Sequence, residues 1–203
     1  MASSENSTPD RPARPQLGKV RWRRFAVLFV PALATAGVLI GLTAEGALAT
    51  NISVSGSAFE ISSSQLNGTG FEQFGGQVTG GNATHPVAIS GIRSATLANL
   101  CQSVAVGPIT LRITAGGGGT PVSASNLIVD ADQQSGNATF HNITIGQDAG
   151  TLTEDPGVTG QAGGFGEQAD SVTIDNLRQN TWLTTAGTFT LPGFSLTFGK
   201  ACY

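Results

Sequence analysis

From residue 50 onward, apolar and polar side chains alternate with a period of two. Ile109, Leu111 and Ile113 interleave with Thr110, Arg112 and Thr114, which puts one side of a strand on a core and the other in solvent. The same alternation predicts strands over 51–61, 86–92, 95–100, 122–131, 137–146, 171–178 and 182–198. The last is interrupted by Pro192-Gly193, because Phe189 and Leu191 share one parity while Phe194, Leu196 and Phe198 share the other. A bulge or turn belongs there. No stretch after Ala49 sustains a 3.6-residue period, so the expected fold class is all-β, with helix minor.

One short pattern recurs: Thr96-Leu97-Ala98-Asn99-Leu100, Thr139-Phe140-His141-Asn142-Ile143 and Thr173-Ile174-Asp175-Asn176-Leu177, with a looser Ser123-Ala124-Ser125-Asn126-Leu127. In each, an apolar residue is followed three positions later by another, so the parity flips at the step through Asn. Asn can bond its own backbone at such a bend, and in stacked coils such residues form ladders. Two architectures satisfy this, a short β-solenoid and a β-sandwich whose strands each bend at Asn. The uneven spacing of the copies does not favour a regular repeat.

The N-terminal region has a different pattern. Lys19, Arg21, Arg23 and Arg24 run into the apolar segment Phe25–Leu42, which is followed by Ala47-Leu48-Ala49, the layout of a secretory signal. The apolar run has 18 residues, long for a signal and at the lower edge of a membrane-spanning helix, so cleavage and retention as an anchor are both open. Either way the positive-inside rule leaves the N-terminus in the cytoplasm and exports the rest. Gly37 and Gly41 form a single GxxxG, a weak helix-pairing signal, and Arg23-Arg24 lacks the context of twin-arginine export. The expected organisation is a disordered cytoplasmic tail over 1–18, a signal peptide or membrane anchor over 19–49, and one exported β domain over 50–203.

Charge and cysteine content refine this picture. After Ala49, ten acidic residues face only Arg93, Arg112, Arg178 and Lys200, a balance of −6. Such a surface repels phosphate backbones, so nucleic acid is not an expected partner, whereas the N-terminal segment makes a membrane one. Cys101 and Cys202 are the only cysteines, and in an exported chain they read as one structural disulfide. Closing a loop of about 100 residues stabilises by on the order of 4–5 kcal/mol in the chain-entropy picture. It would also hold Ala201-Cys202-Tyr203 in order.

Candidate chemistry is sparse. There is no G-x-S-x-G pentapeptide, and His85 and His141 are the only histidines available as a general base. With Ser90 or Ser103 as nucleophile they are the weak catalytic candidates, each more economically read as a non-catalytic residue. Asp130 and Asp132 begin a run like a calcium loop. It fails at Ser135 and His141, where Gly and Glu are required, so the two carboxylates read as solvated. Gly116-Gly117-Gly118-Gly119 lacks the Lys-Ser/Thr of a phosphate loop and reads as a turn. No metal and no cofactor is expected. The longest unpatterned segment, 146–170, reads either as the rim of a binding surface or as a floppy solvated loop.

Several stretches belong together: Trp22-Arg23-Arg24-Phe25, Gly46-Ala47-Leu48-Ala49, Leu66-Asn67-Gly68-Thr69-Gly70-Phe71, His85-Pro86-Val87-Ala88, Leu100-Cys101-Gln102-Ser103, Thr114-Ala115-Gly116-Gly117-Gly118-Gly119, Gln168-Ala169-Asp170-Ser171-Val172, Thr184-Thr185-Ala186-Gly187-Thr188-Phe189 and Cys202-Tyr203. On these, from about Arg21 to its end, the chain resembles a family of small exported proteins of uncharacterised role from filamentous, high-GC Gram-positive bacteria. Some members carry the label cholesterol esterase, which implies extracellular hydrolysis of sterol esters. The expectation is therefore an exported or membrane-anchored all-β envelope protein that binds an apolar ligand, a lipid or sterol on the strength of the resemblance, or a surface partner, with the cholesterol esterase as the alternative.

Overall fold

A computed structural model describes residues 55–154 and 157–203. The tail, the leader and the first residues of the strand expected over 51–61 lie outside these. Nine strands follow in order: β1 (Phe59–Gly80), β2 (Ala83–Ala98), β3 (Leu100–Val106), β4 (Ile109–Ala115), β5 (Val122–His141), β6 (Thr144–Asp148), β7 (Phe165–Thr185), β8 (Thr188–Thr190) and β9 (Ser195–Phe198). A short 3-10 turn, Ala149–Thr151, follows β6. The all-β expectation holds, and Pro192-Gly193 forms the expected turn, with the Phe194 amide donating to the Leu191 carbonyl at 3.2 Å.

The arrangement is neither a solenoid nor two stacked sheets. β1 pairs with β2, β2 with β5, β5 with β7 and β7 with β1, all antiparallel, so the four long strands close into a ring. These strands have 22, 16, 20 and 21 residues. Strands of that length twist and coil enough for a narrow barrel to close on itself, which removes the edges that separate sheets would leave. The sequence pattern shows only the start of β1, because 62–80 is largely Ser, Gly, Asn and Gln. That polar stretch is a strand because it is hydrogen-bonded along both edges.

The recurring asparagines explain how such long strands keep a single core. Asn99, Asn126, Asn142 and Asn176 have φ of 51°, 47°, 54° and 55°, and among the described residues they are the non-glycine residues with positive φ. Asn126 and Asn176 reverse the pleat inside β5 and β7, while Asn99 and Asn142 do so at the junctions of β2 with β3 and of β5 with β6. Leu97 and Leu100 are both buried, as are Ile174 and Leu177, and Ala124 and Leu127. Asn is among the few side chains that occupy this backbone region at modest cost.

The reversals are aligned across strands. The pairing of β1 with β7 runs Ser63↔Leu177 and Gln65↔Asp175 around an unpaired Ser64 and Asn176, and β1 with β2 and β3 keeps one register from Gln65↔Ala98 to Ser62↔Cys101 around Ser64 and Asn99. On the far edge of β7, the ladder breaks at Gly136, whose φ is 153°. A second level passes through Asn126, Arg93, Gly70 and Asp170, the residues skipped between Ile92↔Leu127 and Ser94↔Ser125, Thr69↔Ser94 and Phe71↔Ile92, and Thr69↔Ser171 and Phe71↔Ala169. Gly70 has φ of 66°, and a Cβ there would lie 2.7 Å from the Glu154 carbonyl oxygen. β1, β7 and β2 with its continuation β3 therefore turn their pleats over at the same two heights, whereas β5 turns at the second through Asn126 and keeps its alternation across Gly136, where its ladder with β7 shifts register.

The disulfide forms as expected between Cys101 and Cys202. It fixes the C-terminus, where the Cys202 amide donates to Ser103 Oγ at 3.0 Å and the Tyr203 hydroxyl to the Gln179 carbonyl at 2.8 Å.

Two stability experiments follow. Asn176→Ala, at an exposed side chain, is expected to cost about 1–2 kcal/mol, the penalty for a Cβ in left-handed backbone, while Asn176→Gly stays within about 0.5 kcal/mol of the parent. Urea unfolding reads both, and equal losses would show that the asparagine supplies something other than backbone conformation. Reducing the disulfide is expected to lower stability by about 4 kcal/mol, seen as a lower urea midpoint with reductant than without.

Candidate functional site

The barrel core leaves little room. Its residual cavity, lined by Phe71, Ser90, Leu97, Gln134, Gln179 and Phe189 among others, measures about 30 Å³. Ligand pockets for drug-sized molecules run to roughly 300–1,000 Å³. A sterol or acyl chain does not fit inside the barrel as it stands, so a surface has to carry any apolar recognition.

Such a surface lies where β3, β4 and β9 continue past the barrel wall as a three-stranded wing. β1 holds β3 only through Glu60–Ser62, β3 holds β4, and β4 holds β9. Leu100 pairs with Ala115, and both are in the barrel core. Along the same face the cross-strand sets are Gln102, Ile113 and Leu196, then Val104, Leu111 and Phe198, and finally Val106 and Ile109. The core-facing side of the sheet thus runs out into solvent: Val106 is 55% exposed, Ile109 49%, Leu196 47% and Phe198 66%. Contiguous exposed apolar area of this kind marks interaction sites on soluble domains.

The opposite face of the wing is polar and occupied. It carries Cys101, Ser103, Thr114, Arg112, Ser195 and Thr197 by strand alternation. Arg112 Nε lies 3.2 Å from Cys101 Sγ, and the Ser103 hydroxyl donates to Glu60 Oε2 at 2.9 Å. Through the disulfide the C-terminal residues lie along this side, with the Arg178 guanidinium 5.1 Å from the centre of the Tyr203 ring. Burial raises the Tyr203 hydroxyl pKa, Glu60 adds to the shift and Arg178 opposes it.

The sequence-derived catalytic candidates fall in different places. Ser90 is buried on the inner side of β2, where Gln73 Nε2 donates to its Oγ at 2.6 Å. His85, of opposite parity on the same strand, stacks on Trp182 with ring centroids 3.8 Å apart. Ser103 sits at the disulfide, opposite Glu60 of β1, whereas His85 pairs with Val78 near that strand's other end. His141 is exposed at the end of β5, beside Ser171 of β7. Neither serine has a histidine among its hydrogen-bond partners. Among the described residues no group of three or more His, Cys, Asp or Glu side chains converges.

Asp130 corrects the expectation of two solvated carboxylates. Asp132 is exposed and accepts from Trp182 Nε1 at 3.0 Å and from Asn180 Nδ2 at 2.8 Å. Asp130 is 6% exposed. It pairs with Ile89 and Leu183, which pack with Val78, Val87 and Trp182 in a small cluster on the outer wall. Desolvation there raises its pKa to about 6. Sequence alternation alone did not reveal this second apolar layer, because it is assembled across three strands: Val78 from β1, Val87 and Ile89 from β2, and Trp182 and Leu183 from β7.

Segment 146–170 is not a free rim either. Residues 144–148 and 165–170 are strand, and between them Ala149 and Leu152 are buried against Phe74, with Val158 beside them. Asp148 Oδ1 accepts from the Gly150 and Gly163 amides at 2.9 and 2.8 Å, folding the loop onto itself. Gly160 sits so close that a Cβ would lie 2.4 Å from Ala149 Cβ. Arg93 donates to the Glu154 carbonyl and pairs with its carboxylate at 3.8 Å. The loop covers the outer wall.

A family of unknown function, DUF6230, matches residues 55–203, which includes every strand described above. No curated protein and no solved structure matches.

Asp130 gives the pH prediction of this region. A carboxyl whose pKa is higher folded than unfolded holds its proton more tightly in the native state, so its contribution to stability is full below about pH 4 and is lost as pH rises through about 6. Asp130→Asn is therefore expected to raise stability at pH 7.5 by about 1–3 kcal/mol and to change it little at pH 4. Denaturation midpoints at the two pH values check this; an equal effect at both would mean that ionisation of Asp130 is not the cause.

Proposed function

We propose, for a chain that belongs to the DUF6230 family and inherits no assigned activity from it, an exported binding protein of the cell envelope whose working surface is the apolar face of the wing. The observation that carries this reading is the continuity of that face with the barrel core. Val106, Ile109, Leu196 and Phe198 are exposed on a sheet side that is buried a few residues earlier. Burying apolar side chains of this size is worth about 1.5–3 kcal/mol each, so leaving four in water is costly unless something covers them in use. The acidic balance of residues 50–203 favours an uncharged or apolar partner over a phosphate-bearing one.

Binding is preferred to hydrolysis on geometry. A Ser-His esterase needs its nucleophile within hydrogen-bond reach of a histidine, and the hydroxyls of Ser90 and Ser103 are instead engaged by Gln73 and by Glu60 with the Cys202 amide.

Nile red titration of the full chain is expected to show binding that Phe198→Asp with Leu196→Asp weakens at least tenfold and that His85→Ala and His141→Ala leave within twofold. Binding indifferent to the β9 substitutions would move the surface elsewhere. Hydrolysis of a cholesteryl ester by pure protein, abolished by changing one histidine or one serine without unfolding, would establish the esterase instead.

A further inference from the structure

Resting on that reading of the wing, we propose that its occupant is a second copy of this chain, packed wing to wing about a two-fold axis. Three observations favour a like partner. The first is shape. β3, β4 and β9 form a three-stranded sheet with one polar face, buried at Cys101 and Ser103, and one apolar face exposed at Val106, Ile109, Leu196 and Phe198, half of a sandwich whose missing layer an identical wing supplies. Stacked sheets pack about 10 Å apart with the inner side chains interdigitating, and a face repeated by two-fold symmetry meets itself.

The second is charge. Residues 50–203 carry −6, so two copies repel each other over most approaches. Across β3, β4 and β9 the single charged residue is Arg112, which points to the opposite face. The apolar face holds Val106, Ile109, Leu111, Ile113, Leu196 and Phe198 without a charge among them. It is a neutral contact on an acidic molecule, and a homotypic interface there avoids the repulsion.

The third is area. From the exposures of these side chains the face offers on the order of 400–500 Å² of apolar surface per copy. Two such faces, with their polar margins, bury about 1,000 Å², near the lower bound for a specific interface. A dimer of that size is expected at roughly micromolar concentrations, exchanging with monomer.

Single cysteines test the geometry in the full chain, since Cys101 and Cys202 are bonded to each other and leave no free thiol. Leu111→Cys lies on the central strand of the wing, close to the proposed axis. Phe165→Cys, at a position 62% exposed, lies outside the wing and controls for mere accessibility. Under mild oxidation in micelle-solubilised full chain, Leu111→Cys is expected to give a covalent dimer at least fivefold more than Phe165→Cys. Sedimentation of the parent should show dimer, and Phe198→Asp, at a residue too exposed to be needed for folding, should raise its dissociation constant by about thirtyfold or more. Equal cross-linking at the two positions, or a dimer indifferent to Phe198→Asp, overturns the proposal and assigns association to another segment. A monomeric parent that still binds Nile red through β9 overturns the second copy while the wing remains the binding surface. A monomer whose dye binding ignores β9 removes both.

Discussion

The reversal of the pleat at two common heights is the constraint on which the rest of this molecule depends. A strand of twenty residues with strict alternation would commit half of its side chains to one surface of a flat ribbon. Here the ribbon is turned over twice, at Ser64 with Asn99 and Asn176, and again at Gly70 with Arg93, Asp170 and Asn126. Because neighbouring strands turn over together, the hydrogen-bonded registers of β1 continue unchanged and each core layer stays matched: Leu66 with Leu97 and Ile174, Phe71 with Ile92 and Ala169. A single strand reversing alone would place an apolar residue outside and a polar one inside.

The wing inherits its orientation from one of these reversals. Without the turn at Asn99, the parity of Ala95 and Leu97 would carry Cys101 and Ser103 to the core side and Leu100 and Val104 to the other. With it, Leu100 meets Ala115 in the core and the apolar face extends from the barrel wall. Cys101 then lies on the polar side, where the C-terminus can reach it. Disulfide, tail and bare apolar face are thus consequences of one left-handed residue, further held by a 2.9 Å hydrogen bond from Asn99 Nδ2 to Ser64 Oγ.

Much of this was legible in the residues. The four x-Asn steps stand out as three-residue spacings between apolar positions, and all four are left-handed. What the pattern leaves undetermined is closure. Nothing local distinguishes a strand paired on one edge from one paired on both, and β1 through 62–80 owes its structure to partners distant in the chain. The same limit hid the second apolar layer outside the wall, where Val78, Val87, Ile89 and Leu183 cluster and Asp130 lies between Ile89 and Leu183. The chemical candidates were legible only as residue types. His85 beside Trp182 and Ser90 beside Gln73 are placed by strand parity and register, which a list of nucleophiles and bases does not contain.

The most direct test is an NMR determination of the backbone at Asn99, through its φ-dependent couplings and the cross-strand contacts of its neighbours. A left-handed Asn99, with Leu97 and Leu100 both showing contacts into the barrel core and Val104, Leu111 and Phe198 contacting one another, is the predicted result. An extended Asn99, with Cys101 and Ser103 on the core side, would contradict the reversal and with it the orientation of the wing.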